Sequence, residues 1–195
     1  MLTVTQCEQI IKSFLTKERF YHSCCVSKEA GVLARRFGAD AEKAEIAGML
    51  HDIMKDTGPN KQLKIMERFG IILSNIEKQK PKLWHAISGT AYIEHELGVQ
   101  DPDILSAVRW HTTGRKDMTL LDKVIFIADF NSADRDYDGV WEMRRLAKTS
   151  LERTMIEGIV FTANEQFEKK LLLGTDMIDA YNDAVCVVYG NETER

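Results

Sequence analysis

Apolar positions along this chain recur at three- and four-residue spacing, the period of helices that bury one face. In the first segment Ile10, Ile11, Phe14 and Leu15 share a face behind Thr5 and Glu8, whose spacing matches a capping box. A second helix is expected from about residue 21 and is stopped by Gly38, a C-cap glycine. Asp40 caps a third, AEKAEIAGMLHDIMK, whose end Gly58 and Pro59 mark. A short helix over residues 61–69 closes at Gly70, and a long one follows Pro81 as far as Gly98. Asp101 and Pro102 supply an N-cap and a first turn for DILSAVRWH, which Gly114 closes. Thr119 opens TLLDKVIFIADF. Its VIFIAD run has the composition of a buried strand, but its place between two helical patterns predicts a buried helix. Beyond the polar NSADRDYDG come helices over residues 140–148, from a Ser150 cap to about residue 172 (expected as the longest), and over 176–188. Sustained alternation of apolar and polar residues is lacking, so no sheet is supported. The pattern predicts an all-α fold, with residues 1–195 forming one domain.

Composition narrows the classes. The 195 residues are 44% hydrophobic and 29% charged with only three prolines, which suits a packed helical core. The net charge of -4, without a basic block, speaks against a nucleic-acid partner. No apolar run reaches the length of about 18 residues that spans a bilayer, so no membrane segment is expected. Four cysteines (Cys7, Cys24, Cys25 and Cys186) form no CxxC pair, as in a reducing cytosol. The N-terminal MLTVTQCEQIIKSF lacks the apolar core of a signal peptide. A cytoplasmic protein acting on a small molecule is the expectation.

The candidate chemistry centres on His51-Asp52, at the end of the apolar stretch AGMLHDIMKD. An ionised aspartate there is costly to bury unless paired or bound to a metal. Taken alone, the dipeptide is better read as a backbone cap beside a surface histidine. His22, one helix earlier, and Asp129, closing VIFIAD, change that reading. Successive helical residues point about 100° apart, so His51 and Asp52 flank a metal without completing its shell. His22 and Asp129 can supply the rest. Two imidazoles and two carboxylates without a thiolate suit iron, manganese or another octahedral divalent metal with open positions. Such a metal acidifies bound water and neutralises phosphate charge.

The order His22, His51-Asp52, Asp129 resembles the H…HD…D signature of HD-superfamily phosphohydrolases. RFYHSCCVSKEAGVLARRFGAD, AGMLHDIMKD, LWHAISGTAYI and AVRWHTTGRKDMTLLDKVIFIADF are more specifically similar to YqeK-type symmetrical bis(5'-nucleosyl)-tetraphosphatases. The resemblance runs from about residue 19 to 182, and HTTGR is its most specific part. It implies a helical HD bundle, with the HD core at about residues 19–135 and helices over 138–190 completing it. It implies that His22, His51, Asp52 and Asp129 hold one or two divalent ions, iron foremost. Asp52, His85 and His111 would be catalytic, the two histidines contacting phosphates or holding a second ion. Arg19, Lys55, Thr112 and Arg135 would contact the substrate, with Leu172, Leu173, Gly174, Thr175, Asp176 and Met177 lying against the nucleoside. The implied reaction is hydrolysis of diadenosine tetraphosphate to two ADP. A homodimer is left open.

Each residue also has a plainer reading. His85, beside Trp84, would pack as a core residue. His111 would suit the dipole at a helix C-terminus, as would Lys55. Arg135 sits among the carboxylates of DRDYD, Arg19 would be solvated, Cys25 would be a small packing residue, and His95 a surface one. Two functional rivals stand beside the leading one. One is an HD phosphohydrolase acting on mononucleotides, nucleoside triphosphates or alarmones. The other is a non-catalytic nucleotide-binding regulator.

Overall fold

A computed structural model describes residues 2–190, which hold eleven α-helices, one 3-10 turn and no strand. The first helix, α1 (Val4–Ile11), begins two residues before the expected box. Its cap is Thr3, which accepts from the Gln6 amide at 3.3 Å, while Gln6 Oε1 accepts from the Thr3 amide at 2.8 Å. A glutamine reaches back as well as a glutamate does, so Thr5 and Glu8 fall inside the helix. Helix α2 (Lys17–Phe37) starts earlier than the pattern suggested because Thr16 caps it, and Gly38 ends it at φ 85°. At 21 residues α2 is the longest helix described. That corrects the expectation placed on α10 (Leu151–Glu168), which has 18 residues and stops short because Lys170 turns at φ 53°.

Helix α3 (Ala41–Leu50) has the expected Asp40 cap but ends just before His51. The chain then winds through hydrogen-bonded turns rather than regular helix, as in Lys55 N to Asp52 O at 2.8 Å. The HD pair therefore stands on the lip of α3. Next come α4 (Pro59–Arg68) and α5 (Asn75–Gln79), the latter absent from the sequence reading. A 3-10 turn (Pro81–Leu83) leads into α6 (Trp84–His95), so the long helix expected after Pro81 is shorter and begins as a tighter coil. The remainder are α7 (Pro102–Trp110), α8 (Leu120–Asn131), α9 (Val140–Ala147) and α11 (Thr175–Tyr189), close to the expected bounds.

The VIFIAD segment is helix, as expected. Val124, Ile125, Phe126, Ile127 and Ala128 are buried all round, because α8 runs through the middle of the bundle. One apolar cluster draws side chains from α1, α2, α3, α6, α7, α8, α10 and α11. Helices α2 and α3 approach unusually closely at Gly48, where a Cβ would lie 2.8 Å from the Ser27 Cα. Only glycine fits there. That crossing sets His22 of α2 beside His51, with ring centroids 5.3 Å apart.

Candidate metal centre

Four histidines from four places in the chain converge at one end of the bundle. His22 comes from α2, His51 from the lip of α3, His85 from the first turn of α6 and His111 from the C-cap of α7. All four are at least 96% buried. In each, Nδ1 is already committed. His51 Nδ1 donates to Gly48 O, His85 Nδ1 to Lys82 O and His111 Nδ1 to Val108 O, each at 2.7 Å. His22 Nδ1 donates to the Asp134 carboxylate at 2.8 Å. A carbonyl oxygen can only accept, so Nδ1 carries the proton and each neutral ring turns the Nε2 lone pair inward.

These lone pairs meet carboxylates and one another. His22 Nε2 lies 3.0 Å from Asp129 Oδ1, and His51 Nε2 lies 3.5 Å from Asp52 Oδ2 and 4.0 Å from Asp129 Oδ1. Asp52 Oδ1 is 3.1 Å from His85 Nε2 and 3.5 Å from His111 Nε2, and those two nitrogens are 3.1 Å apart. His22 Nε2, His51 Nε2 and Asp52 Oδ1 are buried without a hydrogen-bond partner. Acceptors this close repel unless a second proton or a cation lies among them. Burial pushes His85 down to about 4, which rules out a second proton on it at neutral pH. Burial pushes Asp129 up, but with the cation of Arg135 beside it the group stays well below the usual carboxylate range. The chemistry of this donor set fits a divalent cation. His22, His51 and Asp129 form one group whose donor atoms lie within 4.8 Å of one another, and His51, Asp52 and His111 form a second.

Cations ring the donors. Arg19 donates to Asp52 Oδ2 at 2.8 Å, so it is not a solvated surface residue. Lys55 Nζ is 3.2 Å from His85 Nε2 and 3.6 Å from Asp52 Oδ1. Arg135 pairs directly with Asp129 and also donates to its carbonyl at 2.7 Å. Arg144 pins the loop carrying Arg135 by donating to the carbonyls of Asn131, Ser132 and Arg135. Thr112 Oγ1 donates to His111 Nε2 at 3.0 Å.

The H…HD…D order, the converging donors and the all-helical frame point one way, and a sequence comparison decides it. The model of the HD domain matches residues 19–134. The chain belongs to the HD-domain family. The symmetrical bis(5'-nucleosyl)-tetraphosphatase of Bacillus subtilis (strain 168) is 40% identical over 88% of this chain and 92% of its own length. Its namesake from Halalkalibacterium halodurans is 36% identical over 89% and 92%. A crystal structure described as a predicted HD superfamily hydrolase involved in NAD metabolism, from Clostridium acetobutylicum, superposes with TM-score 0.91 at 31% identity. It covers 95% of this chain and 98% of that one.

The residues singled out from sequence fall into two places. His22, His51, Asp52, His85, His111, Thr112, Asp129, Arg19, Lys55 and Arg135 all meet at the centre. The segment over residues 172–177 stands apart, with Gly174, Thr175 and Asp176 lining a cavity of about 250 Å³ with Thr113 and Leu83. Leu172 offers its carbonyl to Lys80 Nζ at 2.8 Å, Leu173 packs partly against the core, and Met177 is buried in it. Cys25 is buried and belongs to neither donor group, and His95 is exposed, stacked on Phe69. Asp134 was not anticipated. It lies in a loop with several acids, and only its distance to His22 marks it out. Arg115 of HTTGR has a structural partner, the fully buried Asp122, at 2.8 Å.

Proposed function

We propose that this chain is a metal-dependent hydrolase of dinucleoside polyphosphates, cleaving diadenosine tetraphosphate and water into two ADP. The observation that carries the reading is the set of inward-facing Nε2 lone pairs meeting Asp52 and Asp129, ringed by three cations. The names of the curated relatives supply the substrate class. His22, His51, Asp52 and Asp129 would hold the metal, with His111 completing a second group about Asp52. Iron or manganese suits these nitrogen and oxygen donors. When bound, the metal supplies Lewis acidity and lowers the pKa of water.

The chain's own residues do the rest. Arg19, Lys55 and Arg135 stand where non-terminal phosphates would carry charge, and they stabilise charge that develops on cleavage. Asp52 sits between both donor groups and accepts the proton of the attacking water through its unpartnered Oδ1. His85, kept neutral by burial, turns its Nε2 lone pair toward the centre beside Thr112, where it would serve as a nitrogen donor to a second ion. The cavity beside residues 172–177 has room for one nucleoside, and with that nucleoside there the second phosphate would be the one to meet the centre. The expected setting is the cytoplasm, and among the described residues no helix is long and apolar enough to cross a membrane. Chromatography of early products from protein loaded with iron or manganese tests the reading. ADP alone is expected. Equal ATP and AMP would overturn the geometry, and no turnover of any dinucleoside polyphosphate would overturn the function.

A further inference from the structure

The proposed substrate has two nucleosides, and the cavity beside residues 172–177 accommodates one of them. A second cavity of about 240 Å³ opens from the other side of the donor cluster. Asp129 and Arg135 form its inner end, and Phe130, Tyr137, Phe161, Thr162 and Glu165 line the remainder. The two cavities share no lining residue. One begins at Leu83 and Thr113, chain neighbours of the His85 and Thr112 side of the centre, and the other at Asp129, on the His22 side. The second cavity thus reaches a candidate metal donor, Asp129, directly, and the first comes up to the centre through the neighbours of His85 and Thr112.

The second cavity has the chemistry of a base-stacking site. Tyr137 and Phe161 pair with ring centroids 5.3 Å apart and planes inclined at 38°. Phe161 is 48% exposed, so part of its ring is open to a ligand. The Tyr137 hydroxyl is buried with no hydrogen-bond partner, so a polar group is ready for a ligand. Arg135 stands between the aromatic pair and the centre, where the third phosphate would pass. Resting on the function proposed above, we infer that Tyr137 and Phe161 form the subsite for the distal nucleoside of the dinucleoside substrate, its base stacking on the exposed face of Phe161. Stacking reads the face that every base has, so this arm is bound with little preference between bases. The arm in the cavity lined by Glu77, Arg109 and Asp176 meets directed polar groups instead. One half of the substrate is therefore read by hydrogen bonding and the other by its ring.

The test compares diadenosine tetraphosphate with adenosine 5'-tetraphosphate, which lacks the distal nucleoside, using the full metal-loaded chain. Phe161→Ala should lower the ratio of the two kcat/KM values by roughly five- to tenfold, chiefly through the KM of the dinucleoside. Phe161→Tyr, which keeps a stacking face, should retain the wild-type ratio and also guards against misfolding of the alanine variant. Calorimetric titration with a methylene-bridged, uncleavable analogue should show the same weakening without turnover. An unchanged ratio and unchanged analogue affinity in Phe161→Ala, with the wild type active on diadenosine tetraphosphate, would overturn the subsite alone. A wild type inactive on both substrates would overturn the function it rests on.

Discussion

Removing the carboxylate of Asp134 should weaken the metal centre without removing a ligand. Asp134 Oδ2 accepts from His22 Nδ1 at 2.8 Å, and this bond decides which ring nitrogen carries the proton. It also holds the ring so that Nε2 faces Asp129 at 3.0 Å. Burial pushes Asp134 up, but the Ser132 hydroxyl and His22 more than offset it, so the group is ionised. The other three histidines donate to neutral carbonyls, and only His22 has a charged partner. A carboxylate raises the basicity of the ligating nitrogen, and such outer partners are worth roughly 10- to 100-fold in metal affinity, about 1.4 to 2.8 kcal/mol. Both side chains are mostly buried and the bond is short, which places Asp134→Ala in the upper half of that range. Asp134→Asn keeps an acceptor but loses the charge, so its loss should be smaller, about tenfold. The assay is competition with a chelating dye, read beside urea unfolding of the metal-free protein. Equal metal affinity in Asp134→Ala and wild type would refute the reasoning. So would a loss of affinity fully matched by lost stability of the metal-free chain.

Other outcomes follow from the same geometry. Asp52→Ala should abolish activity and metal together, since Asp52 touches both donor groups, and full occupancy by elemental analysis would sink its assignment. His111→Ala should halve the metal content if His51, Asp52 and His111 hold a second ion, and otherwise lower turnover with occupancy kept; no change in either would return His111 to its helix-end role. Arg115→Met should cost about 3 kcal/mol, read from urea midpoints, because it strands the fully buried Asp122, and a loss below about 1 kcal/mol would contradict this. Burial pushes Glu77 up, but the Ser74 amide and hydroxyl and the Arg109 cation hold it below its ordinary 4.5. Its contribution is therefore full above 4.5 and lost as the pH falls through the lowered value, so the stability gap between wild type and Glu77→Gln should narrow on acidification; a constant gap would refute it.

Much of the fold was legible because helix caps are local chemistry. Asp40, Asp101, Thr119 and Ser150 cap as their side chains suggest, and Gly38 turns left-handed where the pattern stops. Misplaced boundaries arose where two local signals compete. Thr3 with Gln6 outbid Thr5 with Glu8, and the stretch around Pro81 gave its first turn to a 3-10 coil. The end of α3 was hidden because residues 51–57 keep a helical hydrogen-bond rhythm without the helix. In the site, the H…HD…D order marked four residues that the structure brings together, since spacing between helices survives as chain order. His85 and His111 owed their place to resemblance, because a histidine near a helix end looks the same in sequence whether or not its Nε2 meets a carboxylate. Asp134 had no sequence signal. Its role depends on the loop after α8 folding back onto α2, which Arg144 enforces from thirteen residues downstream of Asn131.

On the proposed function, the charges at the centre would let one arrangement serve both metal and substrate. Asp52, Asp129 and Asp134 bring three negative charges, and Arg19, Lys55 and Arg135 bring three positive ones. The protein groups alone are thus balanced, and Arg19 and Arg135 rest on the carboxylates that would hold the metal. A dication shares those carboxylates, which weakens their hold on the guanidinium groups and leaves the centre with two positive charges. Freed cations and surplus charge both favour a polyphosphate, which brings several negative charges to this point. Metal and substrate affinities would therefore be coupled, and by linkage each would raise the other by the same factor. A centre built only from ligands, without the ion-paired arginines, would bind the metal but lack that coupling. Arg19 and Arg135 are accordingly placed to act as counter-ions before the substrate binds and as phosphate contacts afterwards, which only side chains permanently charged and long enough to reach both partners can do.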